Sequence, residues 1–384
     1  MVFQRLSSGS LLSLKLVWMT VLVAALPLGH FVYSVIRWKT YIWLPSYVRS
    51  IQHQSDTSVT DVIFVVADHY ELGKGAESVH DNRTWIAEYT KLSNRHHDTA
   101  GRNLQHSWFL PLEQLQDPVL SDLAEVIQQG YGELEVHWHH SNESPASYEA
   151  KLIMGLAKLQ EYGAIQDRHG TTSFGYIAGN WALDNSLDPG RKGVANELEI
   201  LARQGCIADY TFPIIGSDAQ PSQVNELYYV TDSPGNKSYD SGKTMSVGGE
   251  TAGDLLMFTG PIGYTSLLPL YIEYSAFEND PIPSVERVRS LVKLSPVVQG
   301  KPEWRFLKVH THSQQSRDAW FQGPVDQTLT ALEEYCSSRT IQLHYVSARE
   351  AYNIAKAAEA GKSGNPRQYY DYLVQPPVGK LAVD

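Results

Sequence analysis

The hydrophobic positions of the chain form short apolar runs that alternate with amphipathic segments. The first run extends from Asp61 to Asp68 and is apolar between its ends, which is typical of a strand buried on both faces of a parallel sheet. Apolar residues at helical spacing follow it, and the same alternation continues along the chain. The pattern predicts further strands at residues 104–110, 133–140, 173–178, 207–212, 255–259, 306–310 and 341–346. It predicts helices at residues 83–95, 117–130, 145–163, 194–204, 284–294, 326–338 and 348–360.

Strands that alternate with helices over residues 61–360 predict a parallel α/β fold in one domain. Since residues able to do chemistry recur after several strands, and not at one crevice, we expect closure into a distorted (β/α)7-8 barrel. A doubly wound open sheet is the alternative, although no glycine-rich phosphate-binding motif supports nucleotide binding. Residues 213–253 predict a long polar excursion, and residues 361–384 a poorly ordered polar tail.

The N-terminal region carries a membrane signal. No Asp, Glu, Lys or Arg occurs from Leu16 to Ile36, a length sufficient to span a bilayer, so we predict an uncleaved transmembrane helix over residues 16–36. A cleaved signal peptide is the alternative. Basic residues flank both ends almost equally and leave the orientation open. We expect residues 1–15 to be a flank and residues 37–60 a polar tether, with interfacial aromatic anchors at Trp38, Tyr41 and Trp43.

Composition narrows the classes of function. The net charge of −11 and the lack of a long basic run argue against nucleic acid as a partner. The chain has only two cysteines and no Cys-x-x-Cys motif, so a metal site must use His, Asp or Glu. Nine tryptophans and 22 tyrosines suit a site that stacks on sugar rings.

The most informative stretch is the histidine-rich third strand, residues 133–140. In a strand, alternate side chains share a face, so His137 and His139 lie on one side about 6.5–7 Å apart along the backbone. Both imidazoles can then reach one metal ion. Ser144 and Pro145 form a helix start directly afterwards. The alternative interpretation is a set of hydrogen-bonded surface histidines.

Asp68 ends the first strand as His137 and His139 end the third. Because the carboxyl ends of barrel strands share one face, we predict that these three side chains bind a divalent cation. Two imidazoles and a carboxylate with an open position suit zinc foremost, and also iron, manganese or cobalt. Such a cation polarises a carbonyl group and makes water more acidic.

A second histidine pair, His310 and His312, ends a late strand. Both lie on one face by the same alternation, and an imidazole there can protonate a leaving group or orient a base. The alternative is a hydrogen-bonded histidine in the core.

Two loops complete the predicted site. His69 and Glu71 follow Asp68, and we predict that they bind substrate. In the polar loop after the fourth strand, Trp181 can stack on a sugar face and Asn180 can form hydrogen bonds with sugar hydroxyl groups. Asp184 lies in the same loop and is a candidate catalytic carboxylate. Turn formation explains this loop equally well.

These features resemble the glycoside hydrolase/deacetylase superfamily, whose best-known branch is the NodB-type polysaccharide deacetylases of carbohydrate esterase family 4. The resemblance covers residues 61–360 and is carried by the first and third strands, by His310-Thr311-His312 and by the run from Leu343 to Glu350. It implies a distorted barrel, a divalent metal held by one Asp and two His, and removal of acetyl groups from N-acetylated sugars. Asp68 matches the metal aspartate, the third-strand histidines match the metal pair, and His310 or His312 matches the late-strand acid.

The chain also departs from that pattern. Ala67 stands where NodB-type enzymes have the aspartate that acts as base. The metal histidines of those enzymes are four residues apart, whereas His137 and His139 are two apart. In the NodB register, His139 and Glu143 would replace the pair. These differences place the chain in a divergent branch, in which the bond cleaved can differ.

The prediction from sequence is therefore a membrane-anchored, metal-dependent hydrolase that removes acetyl groups from a polysaccharide or glycan outside the cytoplasm. One alternative is a glycoside hydrolase that uses Asp68 and Asp184 as its carboxylate pair. Another is a non-catalytic sugar-binding or scaffold protein of a polysaccharide export assembly.

Overall fold

Strand β1 (Asp61–His69) is the centre of the protein, and all of its residues are buried. The computed structural model describes residues 29, 31–53, 59–187, 192–267, 270–278 and 282–380. The other strands in chain order are β2 (His106–Pro111), β3 (Gly132–Trp138), β4 (Phe174–Ala178), β5 (Cys206–Asp209), β6 (Leu227–Val230), β7 (Lys243–Thr244), β8 (Leu255–Phe258), β9 (Gly263–Leu267), β10 (Leu270–Glu273), β11 (Trp304–Thr311) and β12 (Gln342–Val346).

The helices lie between these strands in the order expected for an α/β fold. They are α1 (Leu44–His53), α2 (Ala76–Ser93), α3 (Asp117–Gln128), α4 (Pro145–Gln160), α5 (Glu197–Arg203), α6 (Val285–Leu294), α7 (Arg317–Trp320), α8 (Pro324–Ser337) and α9 (Ala348–Glu359). Short 3-10 turns follow β2 at Leu112–Gln114 and β4 at Gly179–Trp181 and Leu183–Asn185.

The main sheet has the strand order β11-β1-β2-β3-β4-β5-β8-β6-β7, and its strands from β11 to β8 run parallel. β11 follows one edge of β1 along almost its whole length, from Asp61 to Asp68. On the other edge, β12 pairs with residues 61–65 and β2 with residues 67–69. The carboxyl ends of β1, β2, β3 and β11 consequently meet at one end of the sheet.

The alternation of side chains along β1 divides the core into two parts. Val62, Phe64 and Val66 pack in the larger hydrophobic cluster with residues of the outer helices. Ile63, Val65 and Ala67 belong to a second cluster on the inner face, which α9 also enters. Since α9 contacts β1, β4 and β5, the sheet curves around it.

The predicted α/β architecture with a mostly parallel sheet is confirmed, but the sheet is not closed into a barrel. Among the described residues, no strand at the β8 end of the sheet pairs with β11. The reason lies in the predicted excursion: β6 and β7 run antiparallel and extend the sheet at the outer side of β8. Lys308 of β11 spans the gap, and its Nζ donates to the carbonyl oxygen of Tyr210 and, at 2.6 Å, to that of Phe212.

The N-terminal region differs from the sequence-based expectation. Residues 1–28 and 30, which include most of the predicted anchor, lie outside the described residues. Within the part that the structure describes, no helix has the length and apolar character needed to cross a bilayer. Residues 37–53 do not form a free tether, because Trp43 is fully buried against Val224, Ile262 and Ile272. The expectation that Trp43 is an interfacial anchor is therefore wrong.

The C-terminal tail is also packed against the domain, at least to residue 380. Asn353 of α9 is fully buried and donates at 2.7 Å to the carbonyl oxygens of Tyr370 and Val374. Its side-chain oxygen accepts from the amides of Leu373 and Val374. A polar composition does not prevent order here, because the buried side chains of Asn353 and Arg349 both bind the backbone of the tail.

We expect Asn353→Ala to lower the free energy of unfolding by about 1–2 kcal/mol, since the amides of Leu373 and Val374 lose their acceptor, while the carbonyl oxygens of Tyr370 and Val374 keep Arg349 as a donor. It should also make residues 361–380 more sensitive to protease, as measured by limited proteolysis. Gln368→Ala changes an exposed amide in the same tail and serves as the control. Equal proteolysis of the two variants would contradict this interpretation.

Candidate metal centre

Four imidazoles and one carboxylate meet at the carboxyl ends of three strands. Glu71, two residues beyond β1, lies in the middle. Its Oε1 is 3.2 Å from Nε2 of His137, 3.2 Å from Nε2 of His139 and 3.9 Å from Nε2 of His312. The ring of His69 lies 5.1 Å from that of His137 and 4.5 Å from that of His312, between centroids.

The far nitrogen of three of these imidazoles is held by a hydrogen bond. Nδ1 of His137 lies 2.8 Å from the carbonyl oxygen of Ile177 and donates to it. Nδ1 of His139 is 2.7 Å from Glu113, and Nδ1 of His312 is 2.7 Å from Glu278. Such partners fix the ring orientation and the tautomer, so that Nε2 is presented to the centre, as is usual for histidines that bind metals.

The donor set fits a divalent cation. Ligand atoms of His69, Glu71 and His137 all lie within 4.8 Å of one another. Nε2 of His69 is buried and has no hydrogen-bond partner among the described residues, which a structural histidine would rarely tolerate. Imidazole with carboxylate suits zinc, iron, manganese or cobalt. This cluster could therefore hold a metal ion, while its composition does not identify which one.

The protonation of the imidazoles differs across the cluster. Burial lowers the pKa of His69 well below its usual value, and nearby His312 lowers it further. Burial also lowers the pKa of His137, only partly offset by its hydrogen bond to Glu71. Burial acts in the same direction on His139, but hydrogen bonds to Glu113 and Glu71 outweigh it and raise the pKa to about 9. The two deepest imidazoles are thus neutral near pH 7, as metal ligands must be.

Asp68 is not part of this centre, which corrects the prediction from sequence. Successive side chains of a strand point to opposite faces, so Asp68 points outward while Ala67 and His69 point inward. The Asp68 carboxylate is fully buried, 2.8 Å from Nε2 of His106, and accepts from the backbone amide of Ser313 at 3.0 Å. Through Ser313 it positions the neighbouring His312.

The alternation predicted for the third strand is confirmed, but of its two histidines only His137 belongs to the group of possible ligands. β3 ends at Trp138, so His139 lies just past it, yet His137 and His139 still share a face. Glu143, the alternative ligand, does not join them. It accepts hydrogen bonds from Ser147 and Lys151 at the start of α4.

Among the described residues, neither His310 nor Asp184 forms a side-chain hydrogen bond or an ion pair with the residues of the centre. Burial lowers the pKa of His310 to about 3, so this imidazole is neutral at physiological pH and unsuited to donate a proton. Asp184 is fully buried, and its carboxylate accepts from the amide of Ser238 at 2.5 Å. Burial raises the pKa of Asp184 to about 7. Its place is inside its own loop and not beside the histidines.

Trp181 borders the centre from the loop after β4. Its ring lies 5.8 Å from that of His69 and 5.9 Å from that of His312. Asn180, which precedes it, is exposed. Asn180, Trp181 and Asp184 all have φ between 46° and 55°, a region that costs energy for residues other than glycine. Glu197 of α5 holds the loop by accepting from the amide of Asp184 at 2.9 Å.

A cavity of about 560 Å³ opens beside His139. Its walls are His139 and Glu113 on the side of the centre, with Trp138, Lys151 and Met154 farther away. The lining mixes aromatic, apolar and charged side chains, and the volume is within the range of small-molecule sites.

Two carboxylates of the site have no signal in the sequence. Glu113 lies in the turn after β2, and Glu278 lies in the segment after β10. Each meets a histidine more than 25 residues away, so neither local spacing nor periodicity marks it. His69 and Glu71 were identified, but as substrate-binding residues and not as possible ligands.

Comparison with known proteins adds no assignment. No protein-family model matches the chain, and no curated protein matches it closely enough to indicate a relationship.

We expect Glu113→Gln to lower the affinity for zinc by about 10-fold, because Glu113 orients His139, and Nε2 of His139 lies 3.2 Å from Oε1 of the candidate ligand Glu71. Isothermal titration calorimetry, with zinc added to the metal-free protein, measures this affinity. Glu125→Gln, on the exposed surface of α3, should leave the affinity unchanged. A Glu113→Gln protein with the affinity of the wild type would show that Glu113 does not support the site.

Proposed function

We propose that the protein is a metal-dependent hydrolase that removes acetyl groups from a saccharide. The observation that carries this proposal is the convergence of three imidazole Nε2 atoms on Glu71, each with its Nδ1 held by a carboxylate or a carbonyl oxygen, with His69 beside them. The resemblance to polysaccharide deacetylases, which rests in part on the same third-strand and late-strand histidines, supports the same reaction class.

In this proposal His69, Glu71 and His137 hold the cation, which we take to be zinc. A divalent cation supplies Lewis acidity, since it polarises a carbonyl group and makes water more acidic. The low pKa of His69 and of His137 keeps both imidazoles unprotonated and able to bind it. Gln315 donates to Oε2 of Glu71 at 3.1 Å and so orients the carboxylate.

His312 is the proposed proton donor. When water cleaves an amide, the C–N bond breaks and the departing nitrogen takes up a proton. Burial disfavours protonated His312, but the hydrogen bond and charge of Glu278 outweigh it, and the pKa is raised. His139 has a matching partner in Glu113, so both sides of the centre carry a carboxylate-backed imidazole for proton transfer.

An acetylated sugar is the proposed substrate. Trp181 offers an aromatic face beside His69 and His312, and aromatic rings bind the apolar faces of sugars. The cavity beside His139 has room for neighbouring sugar units. A glycoside hydrolase with Asp68 and Asp184 as its carboxylate pair is disfavoured, because both side chains are fully buried and neither faces a cleft.

The cellular setting is part of the same proposal. The uncharged stretch from Leu16 to Ile36 would anchor the protein by a single pass, and polysaccharide substrates would place the domain on the extracytoplasmic side. Membrane lipid and an acetylated glycan are thus the proposed partners.

Metal content of variants distinguishes the proposed ligands His69, Glu71 and His137 from the set predicted from sequence, which contains Asp68. The full-length chain, purified in mild detergent, should lose stoichiometric metal in His137→Ala and His69→Ala. It should retain metal in Asp68→Asn and in His97→Ala, a change at an exposed histidine. Acetate release from N-acetylated oligosaccharides should fall with metal content. Metal without any acetate release would favour the non-catalytic sugar-binding alternative.

The pH profile tests the role of Glu278. The hydrogen bond to Glu278 raises the pKa of His312, so His312 is protonated and able to donate a proton at any pH below that pKa. Activity should then fall as the pH rises through this pKa. Glu278→Gln removes the charge that raises the pKa of His312, so the alkaline limb of kcat/KM should move to lower pH. Glu286→Gln, on α6, should not move it. An unchanged limb in Glu278→Gln would exclude His312 as the donor.

A further inference from the structure

In the N-terminal segment from residue 31 to residue 51, small polar side chains are buried and most large apolar side chains are exposed. Its small polar residues are turned inward: Ser34, Thr40, Ser46 and Ser50 are all buried. Most of its large apolar residues are turned outward and exposed: Phe31, Val32, Tyr33, Ile36, Trp38, Tyr41, Val48 and Ile51. A segment that simply packed on a soluble domain would show the reverse pattern.

The segment is nevertheless fixed to the domain. Ser46 Oγ accepts from the amide of Val224 at 3.1 Å, and Thr40 Oγ1 accepts from the hydroxyl of Tyr264 at 2.9 Å. Trp43 fills the apolar site described above. The orientation is therefore determined by specific contacts, and the outward direction of the apolar residues follows from them.

Helix α1 shows the consequence most clearly. Val48 and Ile51 are three residues apart and so share one face, which is turned away from the protein. Contiguous exposed apolar surface of this kind marks an interaction site. Arg37 and Arg49 are exposed in the same segment, and Arg37 lies 5.2 Å from the ring of Trp38.

We propose that residues 37–51 lie against a phospholipid bilayer, with Val48 and Ile51 at the acyl boundary and Arg37 and Arg49 near anionic headgroups. The segment continues directly from the uncharged stretch that begins at Leu16, so the chain leads from the proposed anchor into this surface. Aliphatic, aromatic and arginine side chains together are typical of interfacial segments. A bilayer therefore fits this surface better than a second protein.

This arrangement would hold the domain directly on the membrane and not on a flexible tether. Ile272, which packs with Trp43, is six residues before Glu278, the partner of His312. Six residues of extended chain span at most about 20 Å, so Glu278 lies within that distance of the point at which Trp43 fixes the segment to the domain. The inference rests on the proposed membrane attachment but not on the proposed chemistry.

Spin labels in the full-length chain test whether residues 48 and 51 contact the bilayer. Cys206 and Cys336 are both buried, so a single new cysteine at Val48 or at Ile51 can be labelled with a nitroxide. Ile153→Cys, at an exposed aliphatic residue on α4, is the matched control. After reconstitution into phosphatidylcholine vesicles with and without phosphatidylglycerol, collision rates with oxygen, which concentrates in lipid, and with a nickel chelate, which stays in water, are compared.

We expect labels at residues 48 and 51 to favour oxygen over nickel several-fold more than the label at residue 153, and more strongly with phosphatidylglycerol. Equal nickel access at the three positions would overturn the inference. Dipolar broadening between labels of different chains would also overturn it, since a second copy would then cover the surface. If the protein does not co-float with the vesicles in a density gradient, both the surface contact and the proposed anchor are refuted. Metal content of the same protein tests the hydrolase proposal separately.

Discussion

The carboxylate of Glu71 is the group on which the candidate site depends. Four imidazoles from three separate stretches of chain would place several donors and partial positive charges in one small volume. Glu71 accepts from protonated His139 and lies 3.2 Å from Nε2 of His137 and 3.9 Å from Nε2 of His312, so it compensates that charge. Burial opposes its ionisation, but the interactions with His137 and His139 outweigh burial and lower its pKa. A buried charge is stable only when it is paired in this way, and that requirement brings the strand ends together.

Support for the centre comes from residues that do not face it. Asp68 connects β1 with β2 and β11 through His106 and Ser313, and so determines where His312 stands. Glu197 accepts hydrogen bonds from His140, from two tyrosine hydroxyls and from the loop that carries Trp181. These buried contacts compensate the positive φ angles of that loop, and the ring of Trp181 is held beside the histidines.

The candidate centre differs from the one that the resemblance to deacetylases implies. The superfamily pattern implies an aspartate and two histidines, whereas the inward position at the end of β1 is occupied here by His69. The carboxylate comes from Glu71, in the loop beyond the strand.

The sequence by itself determined the elements and one face of the site. Uninterrupted apolar runs and helical periodicity identified the parallel strands and their helices, and the two-residue repeat placed His137 and His139 on one side, because these properties depend only on neighbouring residues. It could not show that Asp68 faces away from them, since the pairing of β1 with β2 and β11 decides which of its faces is inner. The tertiary structure alone brought Glu113 to His139 and Glu278 to His312, left the sheet open through the β6–β7 hairpin, and turned the apolar residues of α1 outward. Those outcomes depend on contacts between segments that are distant in the sequence. A local sequence pattern does not report the free energies of such contacts.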